Sequence, residues 1–161
     1  MKRTKPDLGR VARIAKHVEL RSVSCREVSG KRLLELADMP TKGEWSATHD
    51  ASGHREMDAG QIVVVVRFSA HLRDGNNAGS RMLADVKAAF SLRYAVPQQV
   101  LSALDQEAVQ EFAETNGIYN AWPYWRELLQ NTAARVGLPG VVAPVFRHTA
   151  EPTKTPDKVE S

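Results

Sequence analysis

Two stretches of alternating residues constrain this chain more than anything else in it. Between residues 61 and 73, Ile62, Val64, Val66, Phe68, Ala70 and Leu72 fall on one parity, and Arg67, Ser69, His71 and Arg73 fall on the other. A period of two sends these sets to opposite sides of an extended backbone, so the segment predicts a strand with one apolar face. Residues 81–94 repeat the pattern, with Met82, Ala84, Val86, Ala88, Phe90, Leu92 and Tyr94 opposing Asp85, Lys87, Ser91 and Arg93. The DGNNAGS between them is turn-forming, so the pair reads as a long antiparallel hairpin whose apolar face must be covered.

The remaining segments supply partners and a cover. Residues 17–28 place Val18, Val23 and Val28 among polar residues, which predicts an imperfectly alternating, bulged strand. Residues 31–60 contain Pro40, Gly43, Gly53 and many charges, so they read mainly as connection, with a short strand at residues 45–48. After Pro97 the apolar period changes to three and four. Asp105 can cap a helix bearing Ala108, Val109, Phe112 and Ala113, and Gly117 is expected to stop it in a left-handed conformation. A longer helix is predicted over about residues 120–136, with Pro123 in its first turn. Its apolar stripe is Trp122, Trp125, Leu128, Leu129, Thr132, Ala133 and Val136, and Gly137 and Pro139 end it. Residues 141–146 read as extended, and the tail from His148 is too polar and Pro-rich to build a core. Strands followed by helices give an α+β fold: a four-stranded antiparallel sheet followed by a short and a long helix. The expected division is a basic segment 1–16, a domain 17–147 and a tail 148–161.

With 161 residues, 42% of them hydrophobic, the chain can close one core. Its single cysteine, Cys25, excludes an internal disulfide framework and suits a reducing compartment. The longest aliphatic run, residues 62–66, is far shorter than the roughly 20 residues of a membrane span. Arg10, Arg13 and Lys16 interrupt Leu8, Val11 and Ile14, so no export signal is read and the expected location is cytoplasmic. The net charge is +3, much of it in the first sixteen residues, which are expected to form a solvated, partly frayed terminus.

Few residues are arranged for chemistry. Cys25 and His17 lack an orienting third group. His49 and His54 with Asp50, Glu56 and Asp58 fit no metal-ligand spacing, and Gly75 and Gly79 flank a hairpin turn instead of a phosphate loop. No catalytic centre, metal or cofactor is expected. A protomer this small, with two sheet edges and a tryptophan-bearing helix, should instead expose apolar area that recruits copies of itself or other chains.

The block WPYWRE, residues 122–127, resembles the aromatic-Pro-Tyr-x-Arg-Glu block that opens the long helix of the SecB chaperones. Gly137, Leu138 and Pro139, then Val142, Ala143, Pro144 and Val145, resemble that family's helix end and Ala-Pro-Val segment. The resemblance implies a homotetramer, a dimer of dimers, that holds unfolded polypeptides without ATP and in the export branch delivers them to SecA. Two departures point away from export. This chain is basic where export-type SecB is acidic, with Arg67, His71, Arg73, Lys87 and Arg93 on its polar sheet face, and residues 147–161 carry no apolar stripe for a terminal helix. Both are closer to SecB-like chaperones that protect antitoxins. Candidate polypeptide-binding residues are Leu33, Leu34, Leu36, Met39, Trp45, Val145 and Phe146, since a holdase needs adaptable apolar contacts. Trp122, Tyr124, Trp125, Leu128 and Leu129 are the candidates for an oligomer interface. The alternatives are a nucleic-acid-associated basic protein or a purely structural oligomer subunit.

Overall fold

The computed structural model describes residues 7–40, 43–75 and 81–138. Four antiparallel strands, β1 (Glu19–Arg32), β2 (Gly43–Glu56), β3 (Gln61–Asp74) and β4 (Met82–Ala95), form one sheet in the order β1-β4-β3-β2. The central hairpin is the expected one over most of its length: Ile62 lies opposite Tyr94, Val66 opposite Phe90 and Phe68 opposite Ala88, but a register shift after Leu72 sets Met82 opposite Arg73, and Leu83 instead of Met82 is the buried residue at that end. All the apolar positions of β3 are sealed from water on this face, as are Val86, Leu92 and Tyr94 of β4.

The outer strands depart from the sequence reading in instructive ways. β2 is a full strand of 14 residues, not a four-residue strand within a connection. Its charges, among them Glu44, Asp50 and His54, reflect an outermost strand with one face in water, where alternation need not be apolar. Gly53, which reads as a loop residue, is there for contact: a Cβ at this position would lie 3.0 Å from the Val109 carbonyl oxygen. β1 carries two register shifts, between Leu20 and Ser22 and between Cys25 and Glu27. Each inserts one residue, so Leu20, Val23, Cys25 and Val28, which a regular strand would split between faces, align with Tyr94, Leu92, Phe90 and Ala88 on the apolar side.

Helices cover that side. α1 (Leu8–Ala15), α2 (Gln98–Ala103), α3 (Gln106–Phe112) and α4 (Ile118–Arg135) follow in chain order. The expectation of a frayed terminus is corrected over α1. Asp7 caps this helix, Val11 and Ile14 are buried, and Arg10 pairs with Asp105, with Glu107 at 3.4 Å and with Glu111 at 3.9 Å. Leu8, Val11 and Ile14 recur every three residues, the helical spacing that the intervening basic residues conceal.

Asp105 caps α3 as expected, accepting from the Ala108 N–H at 2.8 Å. Gly117 does not stop the helix. Its φ is −59° and the chain runs through a wide π turn, Ala113–Gly117, straight into α4. Pro123 therefore lies inside α4 instead of in its first turn. Glycine is needed at 117 because a Cβ would sit 2.6 Å from Val64 Cγ1 on β3. The left-handed residue is Gly137, at φ +70°, which ends α4.

α4 is fastened to the sheet by aromatic contact. Trp125 lies flat on Phe68, with centroids 5.2 Å apart and planes 5° apart, while Phe68 meets Phe90 and Trp122 edge-on. Tyr94 meets Phe112 edge-on at 5.0 Å and accepts a hydrogen bond from Asn120, and burial pushes its hydroxyl pKa up to about 12. Ile118, Ala121, Trp125, Leu129 and Ala133 form the buried stripe of α4, with Trp122, Leu128 and Val136 at its flanks.

Gly117→Ala should destabilise the protein by about 1–3 kcal/mol, because the stiff, buried Val64 cannot yield. The same change in an exposed helix would stabilise by up to about 1 kcal/mol. Urea unfolding decides between the signs, and a gain would show that α4 does not press on β3 at this point.

Candidate functional site

Along the seam where α4 meets β1, three open hollows adjoin. The first, of about 690 Å³, is lined by Leu20 and by Tyr119, Trp122, Pro123, Tyr124 and Glu127 of α4. A second, of about 360 Å³, shares Tyr124 and Glu127 with it and continues over Val23, Cys25, Val28 and Phe90. The third, of about 710 Å³, shares Arg135 with the second and lies between Arg32–Leu36 and the end of α4. The bulges of β1 create this trough, since they turn its few apolar side chains toward a helix too narrow to cover them.

The lower end is built around Arg32. Its guanidinium donates to the Val136 carbonyl at 3.0 Å, satisfying a group left unpaired at the end of α4, and lies 3.9 Å from Glu35. The Leu33 N–H still pairs with the Leu83 carbonyl at 2.9 Å, and a single turn of 3-10 helix follows at Leu36–Asp38. This geometry turns Leu33 and Leu36 outward, 49% and 57% exposed. Leu34 and Met39 turn inward and pack on the core at partial exposure.

Trp45 belongs to β2, opposite Leu72, and packs partly buried against the core, so it is not a lone aromatic in a polar connection. Val145 and Phe146 lie outside the described residues. Of the residues considered for an oligomer interface, Trp125 and Leu129 are buried within the protomer and have no surface to offer a partner. Trp122 and Leu128 are partly buried, and Tyr124 is 46% exposed. Sequence reasoning missed Leu20, Val28 and Tyr119 as exposed apolar groups. Val28 was legible as a strand position, but its exposure depends on how far α4 reaches across β1.

The polar sheet face carries several ion pairs. Arg67 meets Asp50 at 3.4 Å, Lys87 and His71 meet Asp85 at 2.9 and 3.1 Å, and Arg93 meets Glu56 at 3.2 Å. Arg67 and His71 are thus met by acids on the adjacent strand, Lys87 by an acid on its own strand, and Arg93 by Glu56 across β3. His49 and His54 occupy one strand, not a loop, and face opposite sides of it, opposite Phe68 and Val63. Among the described residues no helix is long and apolar enough to cross a membrane.

No family model matches the sequence, and no curated protein matches it. The α+β arrangement of a four-stranded antiparallel sheet backed by a long helix is a SecB-like fold. A solved relative in structure is the SecB-like chaperone of Mycobacterium tuberculosis in complex with the ChAD peptide from the HigA1 antitoxin. The TM-score is 0.71 at 15% identity, over 88% of this chain and 99% of that one. A protein of unknown function from Streptococcus agalactiae aligns at a TM-score of 0.37 and 13% identity, over 79% of this chain and 96% of that one.

His49 links the sheet to this seam. Its ring retains exposure, yet it lies 6.2 Å from Phe68 and 6.4 Å from Trp122, and burial against these rings lowers its pKa below the ordinary 6.5. A lowered folded-state value means that the unfolded chain binds the proton first as pH falls. The contribution of His49 to stability is therefore complete above pH 6.5 and is lost as pH falls from there through the folded value. His49→Phe should flatten the urea midpoint between pH 7.5 and pH 5, and an unchanged slope would assign the pH response to another group.

Proposed function

We propose that this protein is an ATP-independent holdase that captures non-native polypeptide along the seam between β1, the following connection and α4. The single observation that carries the reading is Leu33 and Leu36, two large apolar side chains held outward beside a hollow at the end of α4. The SecB-like fold supports it, as does the neighbour's binding of an antitoxin peptide. Binding of this kind draws on buried apolar area, at roughly 25 cal/mol per Å², and on main-chain pairing at sheet edges, so it tolerates many client sequences. No step in it calls for a catalytic group or a cofactor.

An aggregation-prone antitoxin is the proposed client class in preference to exported proteins handed to SecA, because the net charge of +3 does not suit a surface that must offer carboxylates. Leu33, Leu34, Leu36, Met39 and Trp45 remain the proposed client contacts, with Leu33 and Leu36 foremost. The working form is proposed to be a cytoplasmic homotetramer, a dimer of dimers, in which Tyr124 and the exposed parts of Trp122 and Leu128 meet a partner copy.

Leu33→Ala/Leu36→Ala should weaken client binding by about 2 kcal/mol, roughly 30-fold in Kd, if each half-exposed leucine contributes about 1 kcal/mol. Its melting temperature should stay close to that of the wild type, since neither side chain fills the core. The measurements are aggregation suppression of a denatured protein without ATP and titration with an unfolded peptide. Undiminished affinity in the variant would move the site elsewhere, and a wild-type protein that lets denatured chains precipitate would end the holdase reading.

A further inference from the structure

β2 is an outermost strand, and such a strand ordinarily presents a row of N–H and C=O groups to which another chain can add. At Ala51–Gly53 that row is occupied by side chains of α3. Gln110 Nε2 donates to the Ala51 carbonyl at 2.9 Å, and its Oε1 accepts from the Gly53 N–H at 3.3 Å. Gln106 Nε2 donates to the Gly53 carbonyl at 2.8 Å. Donating to residue 51 while accepting from residue 53 is what one residue of an adjacent parallel strand would do. One carboxamide thus reproduces a strand's pairing without being a strand.

The surroundings hold these amides in place. Gln110 also donates to Glu114 at 2.9 Å, which helps fix its orientation along α3. The missing Cβ of Gly53 lets α3 approach, since a side chain there would lie 3.1 Å from Ala113 Cβ. Arg55 of β2 donates to the Leu104 carbonyl just before α3. From the other side, α1 presses on α3 through Val11, Ile14 and the ion pairs of Arg10 with Asp105, Glu107 and Glu111.

We propose that α3 acts as a surrogate strand over Ala51–Gly53, with Gln106 and Gln110 interrupting the β2 edge there so that another polypeptide cannot pair along its whole length. A strand pairing along a whole edge is then directed to β1, which is exposed along most of its length, whereas the mostly exposed run of β2 from Gly43 to Asp50 breaks off at Ala51. This inference does not depend on the holdase reading.

The test compares the full-length protein with Gln106→Met/Gln110→Met, which preserves length and helix propensity and removes both amides. Hydrogen exchange of the Gly53 amide should quicken by roughly ten-fold in dilute solution. Sedimentation should show species larger than the wild-type assembly growing with concentration, and exchange at Gly53 should slow again as they form. The proposal requires both results. Wild-type exchange at Gly53, or faster exchange with wild-type size throughout, overturns it. If the double variant does not fold, Gln110→Met alone gives the same two readouts with the same meanings. Neither readout involves a client, so an outcome here leaves the holdase reading where its own test puts it.

Discussion

Everything in this molecule depends on covering one apolar face of a four-stranded sheet. That face is large because β3 and β4 are long, and among the described residues no second sheet packs on it. A helix covers a narrower strip than a sheet presents, so α4 is laid along the centre and fastened where Trp125 lies flat on Phe68. A stacked aromatic pair adds about 0.5–1.5 kcal/mol to the area it buries, and it also fixes the position of the helix. The absence of a side chain at Gly117 lets the start of α4 meet Val64, and the left-handed Gly137 ends the helix beside Leu36 and Arg32.

The seam between β1 and α4 follows from that placement. With α4 committed to Phe68, its outer flank reaches only partway over β1, and the bulges aim Leu20, Val23 and Val28 into the uncovered strip. Tyr119 and Tyr124 border it from the helix, and the connection after Arg32 extends it to Leu33 and Leu36. Apolar surface left open in this way is what a polypeptide-binding protein uses and what a monomer would avoid. The function proposed here is thus a consequence of unequal widths, a broad sheet under a narrow helix.

At the far side of the sheet the same shortage of cover is met differently. α3 packs on β2, two glutamines take the outward backbone groups of Ala51 and Gly53, and α1 braces α3 from behind. One edge of the sheet is thereby interrupted by side chains partway along, an asymmetry that a strand order alone would not produce.

The hairpin of β3 and β4 was legible because one parity of each strand is apolar almost throughout, so local period alone decides the core-facing side. The long helix was legible too, through its aromatic block and its Gly-Leu-Pro end. β2 was concealed because an outermost strand needs apolar residues on one face only, and Gly53 there answers to a helix that is distant in sequence. α1 was concealed by its charges, since Arg10 finds its acids some 95 to 101 residues further along the chain. Among the candidate contacts, the sequence marked Leu33, Leu34, Leu36 and Met39 as a group but could not say that alternate members turn outward. Which tryptophan serves the core and which flanks the seam was likewise open, because Trp122 and Trp125 lie three apart on one helix and only their packing on Phe68 and the sheet separates a buried ring from a partly exposed one. Local period set the elements and their apolar faces. Coverage was set by tertiary packing, because exposure is settled by how far one element reaches across another, and that distance is not written in any local stretch of chain.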